Sequence, residues 1–275
     1  MKKIIFTALV VLITVCNTRT SLAWGNTGHT VIAYYAEQLL DEDVKKKCHH
    51  YLHSTLAFQA SWMDQYRSIE PFTECDKWHS TNIDANFKVV VGKPNTAAYQ
   101  IERIRKEMAN YKSMPDSLIA LNIKLITHIA VDLHCPSHNR YLAPPFDWKK
   151  PQWHPDFSQS LKFKYNGKKQ GYHGFWDNSP AIFHKNWHCE KFNEELGNLS
   201  KKEIKKICKG SLTDWVKQCV QDNRASFKYI VAGEDFAKIP KEQHDEMVAL
   251  ADRQLQLAGY RLAFLLNSIF DPKSK

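Results

Sequence analysis

The chain has 275 residues, 43% of them hydrophobic and 24% charged, and 38 Lys and Arg against 29 Asp and Glu give a formal net charge of +9. One core of ordinary size fits this length, so we read a single domain. The composition excludes a low-complexity or disordered chain, and no segment after the leader is long and apolar enough to span a bilayer.

Lys2 and Lys3 precede an uncharged apolar run over 4–15, and a polar stretch then ends in Ser21-Leu22-Ala23. This is the form of a secretory signal peptide over residues 1–23, with the cut between Ala23 and Trp24. A lipoprotein cut at Cys16 is disfavoured by the bulk of Val15. The expected mature domain is therefore 24–275, secreted or periplasmic, and loss of Lys2, Lys3 and Arg19 lowers the net charge by three. A basic chain attracts polyanions, although solubility alone accounts for such a charge. Cys48, Cys75, Cys135, Cys189, Cys208 and Cys219 remain, an even number in an oxidising compartment, so disulfides are expected in a pairing the spacing does not reveal.

In chain order, Val31, Ile32, Tyr35, Ala36, Leu39 and Leu40 recur at helical spacing after Gly28. Cys48, His49, His50 and His53 read as a polar helix face rather than a metal cluster. A helical stripe follows Pro115 through Leu118, Leu121, Leu125 and Ile129. Residues 139–155 hold Pro144, Pro145, Pro151 and Pro155 among Phe146, Trp148 and Trp153, and so read as a loop. Leu161, Phe163 and Tyr165 then alternate with Lys162 and Lys164 ahead of Asn166-Gly167, the signature of a β-hairpin. Asn198-Leu199-Ser200 is a glycosylation sequon. Helices are expected at about 214–230 and 242–269, the second carrying Met247, Leu250, Leu257, Ala258, Leu262, Leu265 and Leu266. The fold class is mainly α with one small hairpin.

The chemistry begins at His128 and Asp132, four residues apart on one helix face and so able to reach one metal. His138 returns to the same region after Pro136, and a second pair of the same spacing stands at His173 and Asp177. Imidazole and carboxylate are zinc ligands, and zinc with an open position makes hydroxide near neutral pH. Each pair alone reads as a surface ion pair; two pairs plus His138 point to metal. Upstream stand Trp24-Gly25-Asn26-Thr27-Gly28-His29, Ser61-Trp62-Met63-Asp64 and Trp78-His79-Ser80.

These segments, in this order, resemble the S1/P1 nuclease family of the zinc-dependent phospholipase C and nuclease superfamily: WGxxGH, SWxD, a lone histidine, HxxxDxxxPxH and HxxWD. The closing Ala258-Gly259-Tyr260-Arg261-Leu262-Ala263 is similar to the family's last helix, and the resemblance spans 24–270. It implies a helical fold and three zinc ions. Asp64, His79 and His128 would hold one ion and share Asp132 with a second, which Trp24 and His29 complete, Trp24 through its free amino nitrogen and carbonyl oxygen. His138, His173 and Asp177 would hold the third. It also implies that Asp64 orients or deprotonates the attacking water and that Arg67 steadies the charged transition state. The implied activity is hydrolysis of single-stranded DNA and RNA to 5′-phosphate products, and of 3′-nucleotides; the sequence leaves the oligomeric state open, with a monomer favoured.

Recognition departs from the family pattern. Ser80 stands where an aromatic residue usually stacks on the base, Asn82 where an Asp is common, and Ser160 where the family has Asn. Trp148 and Trp153 in the long loop are candidates for the missing stacking surface. The rival readings are a zinc phospholipase C, whose last ligand resembles Glu rather than Asp177, and a zinc-binding relative with a degraded pocket.

Overall fold

The computed structural model describes residues 24–83, 94–141, 161–184, 188–226 and 229–271. Helix α1 (Gly25–Gln38) starts directly behind Trp24, earlier than the apolar spacing after Gly28 indicates, and buries Val31, Ile32, Tyr35 and Ala36. Helix α2 (Glu42–Leu52) places Glu42 and Asp43 in its first turn and His49 and His50 in its last, as the helix dipole favours. Its buried residues Val44, Cys48 and Leu52 repeat every four positions. Two short helices follow, α3 (Leu56–Gln59), capped by Thr55, and α4 (Trp62–Tyr66). A 3-10 turn (Thr73–Trp78) then leads into strand β1 (Thr81–Ile83).

Helix α5 (Ala97–Met108), capped by Thr96, packs beside α6 (Asp116–Asp132). Pro115 occupies the position before α6, where its missing N–H costs nothing. Helices α1, α2, α4 and α5 and the long last helix, Lys241–Phe270, all lie against α6. The continuous buried run from Leu125 to Asp132 follows from that enclosure, since a helix covered on every side buries every residue. The centre of the fold therefore holds His128 and Asp132.

The chain leaves α6 through a 3-10 turn (Pro136–His138) into strand β2 (Asn139–Tyr141). This corrects the loop expected from 139: β2 pairs in parallel with β1, Thr81 opposite Asn139. The rest of that loop, 142–155, with Trp148 and Trp153, lies outside the described residues, as does Ser160. The hairpin is as expected. Strands β3 (Lys162–Tyr165) and β4 (Lys168–Gly171) pair antiparallel, and Asn166 and Gly167 take φ of 51° and 75°, the positive angles a two-residue hairpin turn requires.

Helices α7 (Tyr172–Phe183), α8 (Cys189–Leu196), α9 (Lys201–Ile207), α10 (Leu212–Ser226) and α11 (Lys241–Phe270) complete the order. Helix α10 ends short of the expected 230. The N–H groups of Tyr229 and Ile230 both return to the Ser226 carbonyl, closing the segment as a turn. Cys48, Cys75, Cys135, Cys189, Cys208 and Cys219 stand as free thiols in this structure, which does not show the expected disulfides. Cys48, Cys75 and Cys135 pack as small apolar groups in the main core, and Cys208 packs beside Tyr35 and Tyr260. Among the described residues no helix is long and apolar enough to cross a membrane.

Candidate metal centre

Where α1, α4 and α6 meet the 3-10 turn that ends at His79, five side chains form a continuous chain of contacts. Asp132 reaches His29 through Oδ1 (3.2 Å to Nε2) and His128 through Oδ2 (3.4 Å to Nε2). Asp64 continues it, with Oδ2 3.7 Å from His128 Nε2 and Oδ1 3.2 Å from His79 Nε2. The rings of His29 and His128 stack in parallel with centroids 3.9 Å apart. Arg67, three residues after Asp64, places Nη1 3.7 Å from Asp64 Oδ1 and 3.3 Å from Asp76 Oδ1.

A second gathering adjoins the first. His138 Nε2 is 2.9 Å from His173 Nε2 and 4.0 Å from Asp177 Oδ1, and His173 Nε2 is 3.6 Å from Asp177 Oδ1. It is tied to the first by Asp132, whose Oδ2 lies 4.0 Å from His138 Nδ1.

The backbone decides which nitrogen of three imidazoles faces inward. His128 Nδ1 donates to the Ala60 carbonyl (2.8 Å), His138 Nδ1 to the His79 carbonyl (2.8 Å) and His79 Nδ1 to the Asp76 carbonyl (3.1 Å). A carbonyl only accepts, so each ring carries a proton on Nδ1 and presents Nε2 to the interior of the site. Outer partners of this kind orient metal-binding histidines.

Burial and charge set the protonation. Burial pushes the Asp64 carboxyl up, but His128 and the His79 contact outweigh it and hold it down at about 2. Asp132 is held well below the usual carboxylate range, its burial overcome by His128 and His138. Burial lowers His29, and it lowers His138 to about 3 against the opposing pull of Asp132. For His128 burial works against the proton, yet Asp132 and Asp64 keep it up at about 9.

Whether a metal fits is tested by the polar atoms left over. Among the described residues, both nitrogens of His29, Nε2 of His128, both oxygens of Asp132 and Oδ2 of Asp64 are buried without a hydrogen-bond partner. Buried polar atoms are rarely left so, and a cluster of them is what a metal ion would satisfy. Nitrogen and oxygen donors in this mixture suit zinc. Among the described residues three sets of donors have their ligand atoms within 4.8 Å of one another inside each set: His29, Asp64 and His128; His79, His128 and Asp132; Cys135, His138 and Asp177.

Trp24 and α7 lock the site's edge. Trp24 is fully buried at the start of α1 with its ring 5.9 Å from Trp176, edge to face. A Cβ on Gly28 would stand 2.7 Å from the Trp24 Cβ, so only glycine lets α1 close over that ring. The first and last motifs of the sequence are thus one packing unit.

The profile of the S1/P1 Nuclease family matches residues 24–271. The chain belongs to the S1/P1 nuclease family. Nuclease S1 of Aspergillus oryzae (strain ATCC 42149 / RIB 40) is 24% identical over 164 residues, covering 56% of this chain and 53% of that protein. The chain thus aligns with about half the length of this curated relative.

Against the family pattern, Ser80 is buried with its hydroxyl unpaired, and its carbonyl accepts from Ala97 N–H at 2.9 Å. Asn82 lies in β1, opposite Arg140. Cys48 faces the core and His49 pairs with Glu37 at 2.8 Å, in keeping with a structural helix. His134 donates Nδ1–H to Ala130 and accepts from Arg261 at 3.0 Å. Sequence reasoning missed Cys135 as a donor. The available signal was its place midway between Asp132 and His138, three residues from each.

Proposed function

We propose that this protein is a secreted zinc-dependent phosphoesterase that cleaves phosphodiester bonds of single-stranded DNA and RNA, leaving 5′-phosphates, and also dephosphorylates 3′-nucleotides. The observation that carries the reading is the buried chain His29, Asp132, His128, Asp64 and His79, whose inward donor atoms lack hydrogen-bond partners. Membership of the S1/P1 nuclease family supports the reaction class, and the family match beginning at Trp24 supports a leader cut before that residue.

In this reading Asp64, His79, His128 and Asp132 hold one zinc ion, Trp24, His29 and Asp132 a second, and His138, His173 and Asp177 a third. Zinc bound there supplies a Lewis acid that brings water's pKa toward neutrality and polarises phosphoryl oxygens. The protein's own groups do the rest. Asp64, ionised at neutral pH, orients the attacking water and is placed to accept its proton. Arg67 holds a guanidinium beside Asp64, where it pairs with a phosphoryl oxygen as charge grows. Ser80 and Asn82 border the substrate on one side; Ser160, Trp148 and Trp153 are assigned to its recognition, with the two rings as base-stacking surfaces.

The test is to purify the protein starting at Trp24, count zinc, and assay single-stranded DNA, RNA, 3′-nucleotides and phosphatidylcholine side by side. Nucleic-acid turnover with about three zinc ions per chain is expected. Lipid-only cleavage would assign it as a phospholipase C, and full zinc without turnover would leave a binding protein. Protein with one extra residue ahead of Trp24 should lose a zinc ion and most activity, because its amino nitrogen would no longer be free.

A further inference from the structure

Beyond α6 the backbone tightens. The Cys135 N–H bonds the Asp132 carbonyl at 2.9 Å, and the His138 N–H bonds the Cys135 carbonyl at 3.0 Å. Bonding of this type between residues three apart brings their side chains to one side of the chain. Asp132, Cys135 and His138 therefore face the same region, and Pro136 fixes the turn between the last two. The consequence is a donor trio: Cys135 Sγ, a ring nitrogen of His138 and a carboxylate oxygen of Asp177, buried and within 4.8 Å of one another. Donors sharing one zinc ion stand about 3 to 4.5 Å apart, given bonds of about 2.0 to 2.3 Å, so shifts of tenths of an ångström seat all three on one ion. The sulfur also lies within hydrogen-bond distance of Ser137 Oγ, 3.1 Å away.

We propose that Cys135 is a sulfur donor to the ion held by His138, His173 and Asp177, which makes that position a mixed nitrogen, oxygen and sulfur site unlike the other two. The inference rests on the three-zinc reading above. When the ion binds, the sulfur–hydrogen bond breaks, the proton leaves to solvent, and the sulfur electron pair forms the bond to the metal. The Ser137 hydroxyl, 3.1 Å away, then donates a hydrogen bond to the thiolate. A thiolate at this position favours zinc, cobalt and softer ions over magnesium, calcium or manganese.

Zinc-loaded protein should show a zinc–sulfur distance of about 2.3 Å by X-ray absorption, and cobalt-loaded protein a sulfur-to-cobalt charge-transfer band in the near ultraviolet. Both signals should vanish in Cys135→Ser and persist in Cys219→Ser. Without any variant, bound metal should protect Cys135 from alkylation, read by peptide mass mapping, and chelation should expose it. Fully loaded protein with no sulfur scattering and no charge-transfer band overturns the proposal, as does a signal that survives Cys135→Ser. In that event nucleic-acid cleavage by the zinc-loaded protein leaves the phosphoesterase reading standing. Protein that binds no metal at all overturns both.

Discussion

Asp132 is the residue on which the site turns, because one carboxylate reaches both His29 and His128. Asp132→Asn keeps the shape but removes the charge and one acceptor. It is expected to lose two of the zinc ions and to lower activity beyond the roughly 10- to 100-fold that losing an outer partner costs. Metal analysis beside a single-stranded DNA assay checks this, and full zinc content in the variant would contradict it. Arg67 separates binding from chemistry. Arg67→Ala should lower kcat by about 10²- to 10³-fold, the usual effect of removing one transition-state donor, with zinc content unchanged and part of the rate restored by Arg67→Lys. An unchanged kcat would reduce Arg67 to the partner of Asp76. The pairs His128 with Asp132 and His173 with Asp177 were legible because helical spacing alone aligns them. The carbonyls that fix the imidazoles were not: any residue has one, and Ala60 lies 68 positions from His128.

Elements were legible where a local rule operates over several residues. The hairpin follows from alternation and Asn166-Gly167, and α6 from its apolar period after Pro115. The pairing of β1 with β2 was not, because three-residue strands carry no period and the partners lie far apart in the chain. The junction of α6, α9, α10 and α11 was equally hidden. There Arg261, fully buried on α11, donates to the Ile207 carbonyl (2.9 Å), to Gln218 Oε1 and to His134 Nε2 (3.0 Å), with its guanidinium 4.8 Å from the Trp215 ring. One planar fork ties three elements to the end of the helix that carries His128 and Asp132. Arg261→Met should orphan several buried acceptors at about 1 to 3 kcal/mol each, offset in part by no longer burying a charge. Arg261→Lys should recover little, since an ammonium lacks the fork. Urea unfolding midpoints measure both, and a lysine variant as stable as the parent would show that the charge alone matters.

Across the whole molecule, the free thiols give stability a pH dependence that disulfides would remove. Burial pushes Cys48 and Cys219 up to about 12, and Cys75 and Cys208 up to about 11, from an ordinary value of 9.0. Above pH 9 the unfolded chain loses these protons while the folded one keeps them. The unfolded state then binds fewer protons, so stability falls as pH rises from about 9 to 12. Cys48 and Cys219 each contribute on the order of 1 kcal/mol of loss at about pH 10. Denaturant midpoints should therefore drop between pH 8 and 10, and the double variant Cys48→Ala/Cys219→Ala should lose less over the same interval. A thiol reagent completes the argument: protein beginning at Trp24 should react slowly at its five buried cysteines when native and at all six once unfolded. Fewer than six reactive thiols in denaturant, with a pH-independent midpoint, would mean that the core closes disulfides, as the cysteine count and the leader together led one to expect.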